Sequence, residues 1–210
     1  MGRYPSKAGI LQQVAGLDLI LASTSTSRAH LLRAAGVPFR AVPSGLDEGP
    51  LKERLRAAGN GATAAAAELA RAKAMACGDA TGQALVLGAD QILTLGDVWF
   101  DKPASLADAK RELLQLAGRT HELHTALALV QAGEVIWRHA EIARLTMWSF
   151  EEAFVESYLA EAGDKVLGSV GAYHLEGLGV QLFQAIEGDF FAILGLPLLP
   201  LLGFLRGGQR

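Results

Sequence analysis

Apolar runs separated by short polar segments divide the chain into predicted strands and helices. The clearest strand is the aliphatic run 85–87, which is typical of an interior strand. Other apolar runs predict strands at 17–22, 39–43, 121–130, 135–145 and 180–185, with a hairpin at 94–98. Apolar residues three and four positions apart predict helices at 30–35, 62–76, 105–116, 150–162 and in a closing segment that reaches Phe204.

The run 85–87 leads into a carboxylate. Gly88 and Ala89 remove side-chain bulk where a backbone would approach a ligand. Asp90 follows at the predicted strand end, where open α/β sheets place their sites. A carboxylate in such a run costs several kcal/mol unless it is paired or binds a metal. Gln91 adds an amide that both donates and accepts hydrogen bonds. The alternative is that Asp90 only caps the next turn.

The first predicted strand runs into five consecutive hydroxyl residues and then a helix that stops at Gly36. Free N–H groups at a helix N-terminus favour anions, and hydroxyl and guanidinium groups add donors. These features predict an anion site built from Ser23, Ser25, Ser27 and Arg28. The alternative is that one hydroxyl only caps the helix, although five exceed the need of one cap.

Other charged residues each allow two interpretations. Asp47 and Glu48, in a Gly-flanked loop, either hold a divalent cation or form solvated surface. Lys73, on an Ala-rich helix, and Lys102, before Pro103, either bind phosphate or are ordinary surface lysines.

Two histidines on one predicted strand do not form a metal site. His121 and His124 are three residues apart, and on a strand this spacing places them on opposite faces. The sequence also contains no nucleotide P-loop and no complete Gly-x-Gly-x-x-Gly fingerprint.

The composition is that of an ordinary globular protein, with 50% hydrophobic and 20% charged residues among 210. The net charge of −3 offers no basic face, so we expect no nucleic-acid partner. The single Cys77 excludes an internal disulfide and suits a cytoplasmic location. Apolar runs such as 190–202 are too short to cross a membrane, so we expect no membrane association. We expect one domain at 17–210 after a loosely attached N-terminal extension at 1–16, which lacks a signal-peptide pattern.

Short motifs in a fixed order resemble those of the Maf family of nucleoside triphosphate pyrophosphatases. They cover nearly everything from residue 17 to residue 205. The motifs are Leu19-Ile20-Leu21-Ala22-Ser23-Thr24-Ser25 with Arg28, the loop with Asp47-Glu48, Glu68-Leu69-Ala70-Arg71-Ala72-Lys73-Ala74, Gly88-Ala89-Asp90-Gln91, Lys102-Pro103, Gly118-Arg119 with His121, Gly171-Ala172-Tyr173, Gly188-Asp189 and Gly195-Leu196-Pro197-Leu198.

The resemblance implies an α/β fold of the inosine-triphosphatase-like type. In that fold a mixed, elongated sheet is flanked by helices, and two lobes surround a cleft. The resemblance also implies hydrolysis of a nucleoside triphosphate to the monophosphate and pyrophosphate, assisted by Mg²⁺ or Mn²⁺. It further implies a homodimer, and some members of the family affect septum formation.

Cleavage between the α- and β-phosphates needs charge neutralisation, an aligned water and a metal. We therefore expect Asp90 to be the general base or a metal-bound carboxylate. Glu48 would share the metal or orient the water. Lys73 and Lys102 would stabilise phosphate oxygens, and the anion site of the first helix would bind the same group.

Two residues resemble the subgroup of the family that acts on 7-methyl-GTP. Gln91 follows the central Asp where many members have Thr, and Glu176 stands in the late Gly-rich loop. A carboxylate at this position accepts hydrogen bonds from a guanine edge and favours the positive charge of a methylated ring. Gln91 would complete the contacts to the base.

The chain departs from the family pattern at several positions. A nonaromatic Ser27 cannot stack on a base, and Asp101 stands where Gly is usual. The other departures are Thr26 for Pro, Ala29 for a second arginine and Ala126 for Gly. Because of Ala29, a weakly active or inactive nucleotide-binding regulator of septum formation and cell division remains the alternative function.

Overall fold

The computed structural model describes residues 14, 16–79 and 82–207, which contain a seven-stranded mixed sheet flanked by helices. The strands are β1 Leu19–Ala22, β2 Arg40–Val42, β3 Leu85–Leu95, β4 Val98–Phe100, β5 Thr120–Gln131, β6 Glu134–Met147 and β7 Phe183–Glu187. The helices are α1 Thr26–Ala34, α2 Glu48–Ala57, α3 Ala62–Cys77, α4 Leu106–Leu116, α5 Glu152–Ala162, α6 Phe190–Ile193 and α7 Leu198–Leu205. The predicted α/β class with a mixed sheet is confirmed. Apart from residues 14 and 16, the expected extension lies outside the described residues, and the single-domain boundary remains a prediction.

The sheet changes from parallel to antiparallel pairing at β3. The strand order is β2-β1-β3-β5-β6-β7, and β4 pairs with the far end of β3. Strand β1 is parallel to both β2 and β3, whereas β3 is antiparallel to β5 and β4. Pairing of β1 with β3 ends at Leu21 and Leu87, so the cleft described below opens beyond the end of β1.

Asp90 does not end its strand, and that prediction is wrong. Strand β3 continues to Leu95, with Asp90 paired opposite Ala126 of β5. The signal was misleading because the parallel partner β1 ends while the antiparallel partner β5 continues. A polar residue placed where one neighbouring strand ends has the same sequence pattern as a polar residue at the end of its own strand.

Helix α3 lies directly against β3 at Gly88. A Cβ on Gly88 would lie 1.9 Å from the backbone oxygen of Ala70. The absent side chain therefore makes room for the helix, which corrects the expectation that it makes room for a ligand. Lys73, about one turn after Ala70, is brought over Asp90 by this close approach.

The predicted acidic loop is in fact the start of helix α2, which the sequence patterns did not predict. The carboxylate of Asp47 accepts a hydrogen bond from the backbone N–H of Gly49 at 3.3 Å and so caps the helix. Gly49 and Pro50 usually break helices, but here they stand in the first turn, where a missing N–H is tolerated. Glu48 is consequently the first residue of a helix.

The two histidines of β5 contact different parts of the molecule, in agreement with their predicted opposite faces. His121 Nε2 lies 2.8 Å from the hydroxyl of Tyr173. His124 lies between hydroxyls of Thr63 and Thr94, at 2.8 and 3.1 Å from its two ring nitrogens.

The most apolar helix, α7, packs into the core and is short. Its buried side chains are Leu198, Leu201, Leu202 and Leu205, which pack in one cluster with α1 and β1. Across the ranges 16–79 and 82–207, no helix combines the length and apolar character needed to span a membrane.

Candidate active site

All ten predicted site residues line one cleft of about 600 Å³. The cleft opens beyond the end of β1 and is also walled by the start of α2, the end of β4 and the segments 168–170, 173–176 and 193–195. The ten residues are Ser23, Ser25, Ser27, Arg28, Glu48, Lys73, Asp90, Gln91, Lys102 and Glu176.

The centre of the cleft is an ion cluster of one ammonium and two carboxylates. Lys73 Nζ lies 2.5 Å from Asp90 Oδ1 and 2.8 Å from Glu48 Oε2. The side chains of Lys73 and Asp90 are 8% and 9% exposed, whereas that of Glu48 is 47% exposed. The cluster therefore has a buried end at Asp90 and a solvent-facing end at Glu48.

Burial raises the pKa of the Asp90 carboxyl above its usual value, because desolvation disfavours the charged form. The positive charges of Lys73 and Arg28 act in the opposite direction. A carboxylate with a raised pKa is a stronger base than an exposed aspartate. Such perturbed groups in a cleft are typical of functional sites.

Arg28 is fixed at the base of the predicted anion site. Its Nε donates to the carbonyl of Gly195 at 2.9 Å, and a terminal nitrogen donates to Ser23 Oγ at 3.2 Å. Desolvation lowers the pKa of the Arg28 guanidinium, while Asp90 and Glu48 raise it. The guanidinium is therefore held in place before any ligand binds.

The hydroxyl residues of this site divide between capping and binding. Ser25 is the N-cap of α1, since its Oγ accepts a hydrogen bond from the backbone N–H of Arg28 at 3.4 Å. Ser23 Oγ accepts hydrogen bonds from the Ser25 N–H and from Arg28, which leaves its own O–H able to donate. The alternative that a hydroxyl only caps the helix is thus correct for Ser25, but it does not account for Ser23.

Lys102 completes the positive charge of the cleft. Desolvation lowers the pKa of its ammonium, and the neighbouring charges of Arg28 and Lys73 lower it further. Three cations, Arg28, Lys73 and Lys102, therefore face two carboxylates, Glu48 and Asp90. Over its whole wall the cleft carries as many carboxylates as cations, so it is the grouping of these three cations around Asp90 that suits the phosphates of a ligand.

The carboxylates retain oxygens for a cation. The hydrogen bonds of the described residues engage Oε2 of Glu48 and Oδ1 of Asp90, and they leave the second oxygen of each carboxylate open. Those residues contain no group of three or more His, Cys, Asp or Glu side chains that could hold a metal ion. A Mg²⁺-like ion held by these two carboxylates would need substrate phosphates and water as most of its ligands.

Gln91 does not present its amide nitrogen to the cleft. Its Nε2 lies within hydrogen-bond distance of Thr125 Oγ1 at 2.8 Å and of the carbonyls of Ala192 and Ile193, both at 3.1 Å. These contacts attach β3 to α6, the short helix that precedes Gly195. The amide nitrogen is therefore engaged within the protein and Oε1 remains open to a ligand, so the contact of Gln91 with the base stays a prediction.

Ser27 and Glu176 face each other at the mouth of the cleft. The hydroxyl of Ser27 donates to Glu176 Oε1 at 3.0 Å, and His174 Nδ1 lies 3.8 Å from the same oxygen. The hydrogen bond from Ser27 thus orients the Glu176 carboxylate.

Ala29 points away from the cleft. It is 6% exposed and belongs to the apolar cluster that includes Leu32 and Leu201. Helix α1 places Arg28 and Ala29 about 100° apart, so only one of them faces the ligand. The absent second arginine therefore removes no charge from the described cleft walls.

Sequence reasoning missed Lys52 and Asp101, which also line the cleft. They form an ion pair with each other, and Asp101 immediately precedes Lys102. The available signal was the spacing of Glu48, Lys52 and Arg56, which are four residues apart and so share one face of a helix. That signal was hidden because α2 was not predicted.

Several known proteins are similar to this chain. A family profile described as "Maf-like protein" matches residues 18–207. A "Nucleoside triphosphate pyrophosphatase" from Rhodospirillum rubrum is 52% identical, covering 90% of this chain and 93% of that protein. A "7-methyl-GTP pyrophosphatase" from Mesorhizobium japonicum is 50% identical, covering 90% of this chain and 94% of that protein. Among solved structures, a HAM1 protein from Coxiella burnetii aligns with a TM-score of 0.42 and 18% identity, covering 62% of this chain and 73% of that one.

Proposed function

This chain belongs to the Maf family and is a nucleoside triphosphate pyrophosphatase, and on that premise we propose that it hydrolyses 7-methyl-GTP or another modified nucleotide to the monophosphate and pyrophosphate. The observation that carries the proposal is the ion cluster. A buried carboxylate with a raised pKa lies beside three cations in one cleft. This combination supplies a base and a phosphate-binding surface at the same place.

In the proposed reaction Asp90 accepts a proton from a water molecule. The water oxygen bonds to the α-phosphorus, and the bond from that phosphorus to the oxygen bridging to the β-phosphate breaks. Lys73, in contact with Asp90 Oδ1, keeps the carboxylate ionised and ready to accept the proton. Because Asp90 is shielded from solvent, it is a stronger base than a surface aspartate.

The cations stabilise the leaving pyrophosphate in this account. Negative charge accumulates on the bridging oxygen as the bond breaks, and Arg28, Lys73 and Lys102 are placed to offset it. Arg28 needs no rearrangement to do so, since Gly195 and Ser23 already hold its guanidinium. Preorganised charge of this kind costs little reorganisation during the reaction.

We expect a divalent cation, Mg²⁺ or Mn²⁺, to bind together with the nucleotide. Glu48 and Asp90 are the residues that would hold it through their open oxygens. When bound, the ion would neutralise phosphate charge as a Lewis acid.

We propose that the nucleobase binds at Glu176. Its carboxylate, oriented by Ser27, can accept two hydrogen bonds from the N1 and N2 donors of a guanine edge. A negative charge there also favours the cationic ring of 7-methylguanine over neutral bases. Gln91 contributes by holding α6 through its amide nitrogen, with its oxygen left for the ligand.

The experiment is pyrophosphate release by the purified protein from 7-methyl-GTP, GTP, dTTP, UTP and CTP with Mg²⁺ or Mn²⁺. We expect equal amounts of monophosphate and pyrophosphate, loss of release with a chelator, and the highest kcat/KM for 7-methyl-GTP. A different preferred nucleotide would overturn the substrate assignment. Binding without hydrolysis of any nucleotide would instead favour the alternative, a regulator of septum formation.

Three expectations from the resemblance remain proposals about the protein in the cell. They are a homodimer, a cytoplasmic location and an effect on septum formation. Size-exclusion chromatography with light scattering tests the dimer, and a deletion strain complemented with wild type or Asp90→Asn tests whether any septation effect needs hydrolysis.

A further inference from the structure

Helix α2 carries Glu48 but is weakly embedded in the protein. None of its ten residues, from Glu48 to Ala57, is fully buried. Its apolar side chains Leu51 and Leu55 are partly buried against the cluster formed by α3 and β5. Packing alone therefore gives α2 few contacts with which to fix Glu48 beside Lys73.

Asp101 joins this helix to the end of β4. Lys52 Nζ donates to Asp101 Oδ1 and also to the carbonyl of Phe100, the latter at 3.3 Å. Arg56 contacts the other carboxylate oxygen of Asp101 at 3.5 Å, and its guanidinium lies 5.2 Å from the ring centroid of Trp99. One carboxylate thus receives two cations from successive turns of the same helix.

Helix α2 connects the contact with Asp101 to the ion cluster, because one face of the helix takes part in both. Glu48, Lys52 and Arg56 are spaced by four residues, so they follow one another along a single helical face. The first of them contacts Lys73, and the other two contact Asp101. A helix held at all three positions cannot rotate or slide without breaking one of these contacts.

The environment of Asp101 supports a permanent charge. Burial acts to raise the pKa of its carboxyl, but Lys52 and Arg56 outweigh burial and lower it below its usual value. The Lys52 side chain is 18% exposed and that of Asp101 is 63% exposed, so solvent screens the pair at its Asp101 end, and the second cation, Arg56, adds to the contact.

We propose that Asp101 is a positioning residue. Its carboxylate clasps α2 through Lys52 and Arg56 and so fixes Glu48, on that helix, relative to Lys102, which follows Asp101 in the chain. Asp101 itself touches neither reacting atoms nor the α-phosphate in this account. Its catalytic consequence rests on the proposed hydrolysis, whereas the clasp itself does not.

The test combines kinetics with hydrogen–deuterium exchange of the α2 amides. Asp101→Asn keeps the shape of the side chain and removes its charge, and Lys52→Met removes the other partner. Asp97→Asn is the matched control, because it is the same substitution on the exposed turn of the same hairpin. Exchange of peptides covering 48–57 is measured on the full-length protein without nucleotide.

We expect Asp101→Asn to lower kcat about tenfold or more by misplacing Glu48, with a smaller change in KM. Exchange in α2 should become faster in both Asp101→Asn and Lys52→Met, and the double variant should resemble Asp101→Asn alone because both changes break the same contact. Asp101→Glu should restore part of kcat.

The proposal is overturned if Asp101→Asn matches Asp97→Asn in either kcat or α2 exchange. A lower kcat with unchanged exchange would mean that Asp101 acts by another route. If the wild type releases no pyrophosphate from any nucleotide, the proposed function fails, but the clasp can still be tested by exchange. Faster α2 exchange in Asp101→Asn than in wild type then supports the clasp, and unchanged exchange refutes it.

Discussion

Gly88 of β3 lies so close to Ala70 of α3 that a Cβ on Gly88 would be 1.9 Å from the Ala70 carbonyl oxygen. This approach sets the distance between the strand that carries Asp90 and the helix that carries Lys73. The 2.5 Å contact between Lys73 Nζ and Asp90 Oδ1 depends on it. A packing requirement at one glycine therefore determines the geometry of the ion cluster.

Replacing that glycine should damage both stability and activity. Gly88→Ala forces α3 away from β3, and overpacking of this kind costs about 1–3 kcal/mol. We also expect a lower kcat, since Lys73 and Asp90 would separate. Urea unfolding and pyrophosphate release measure the two effects. Gly203→Ala, at an exposed position of α7 where a Cβ meets nothing within 4 Å, controls for the general effect of replacing a glycine by alanine. Equal stability of the two variants would contradict the packing argument.

Glu176→Gln should change nucleotide preference more than overall activity. The substitution keeps the size of the side chain and removes the charge that would favour a cationic methylated ring. We expect the ratio of kcat/KM for 7-methyl-GTP to that for GTP to fall about tenfold. Glu187→Gln, on the exposed strand β7, is the control and should leave the ratio unchanged. An unaltered ratio in Glu176→Gln would remove Glu176 from base recognition.

His121 makes stability depend on pH. The ring is fully buried beside Tyr173 and Phe183, and burial lowers the pKa of His121 to about 4. The unfolded chain binds a proton at this residue near pH 6.5, whereas the folded chain does so only near pH 4. Titration of His121 therefore leaves the free energy of unfolding unchanged above pH 6.5 and lowers it by about 3 kcal/mol as the pH falls to 4.

Urea unfolding of wild type and His121→Gln at pH 7.5, 5.5 and 4.5 isolates this contribution. The variant should lose the part of the pH slope that comes from residue 121, so the two curves should converge as the pH falls. His30→Gln, at an exposed position of α1, should keep the wild-type slope. Parallel curves for wild type and His121→Gln would refute the burial argument.

The side chains that line the cleft were predicted from the order of the short motifs and their resemblance to the Maf family, because each charged residue taken alone also allowed a surface interpretation. Helix α4 was predicted from a local pattern, since Ser105 caps it by accepting from the N–H of Asp108 at 3.1 Å.

The rest depended on tertiary contacts that no local pattern contains. Helix α2 was missed because Gly49 and Pro50 conceal its first turn. Gly88 was assigned to ligand approach because the sequence does not tell which element packs opposite it, and in the structure helix α3 does. The contact of the Gln91 amide nitrogen with α6 was likewise not predicted, while its contact with a base remains a prediction.

The most direct measurement of the central claim is a comparison of wild type with Asp90→Asn in turnover and in nucleotide affinity. The amide keeps the shape of the side chain but cannot accept the proton from water, so we expect kcat to fall about 10³-fold or more. The Kd for a non-hydrolysable α,β-methylene analogue of the preferred nucleotide, measured by calorimetry without a divalent cation so that loss of a metal ligand does not contribute, should change by less than about tenfold. A variant that retains wild-type kcat would contradict the assignment of Asp90 as the base.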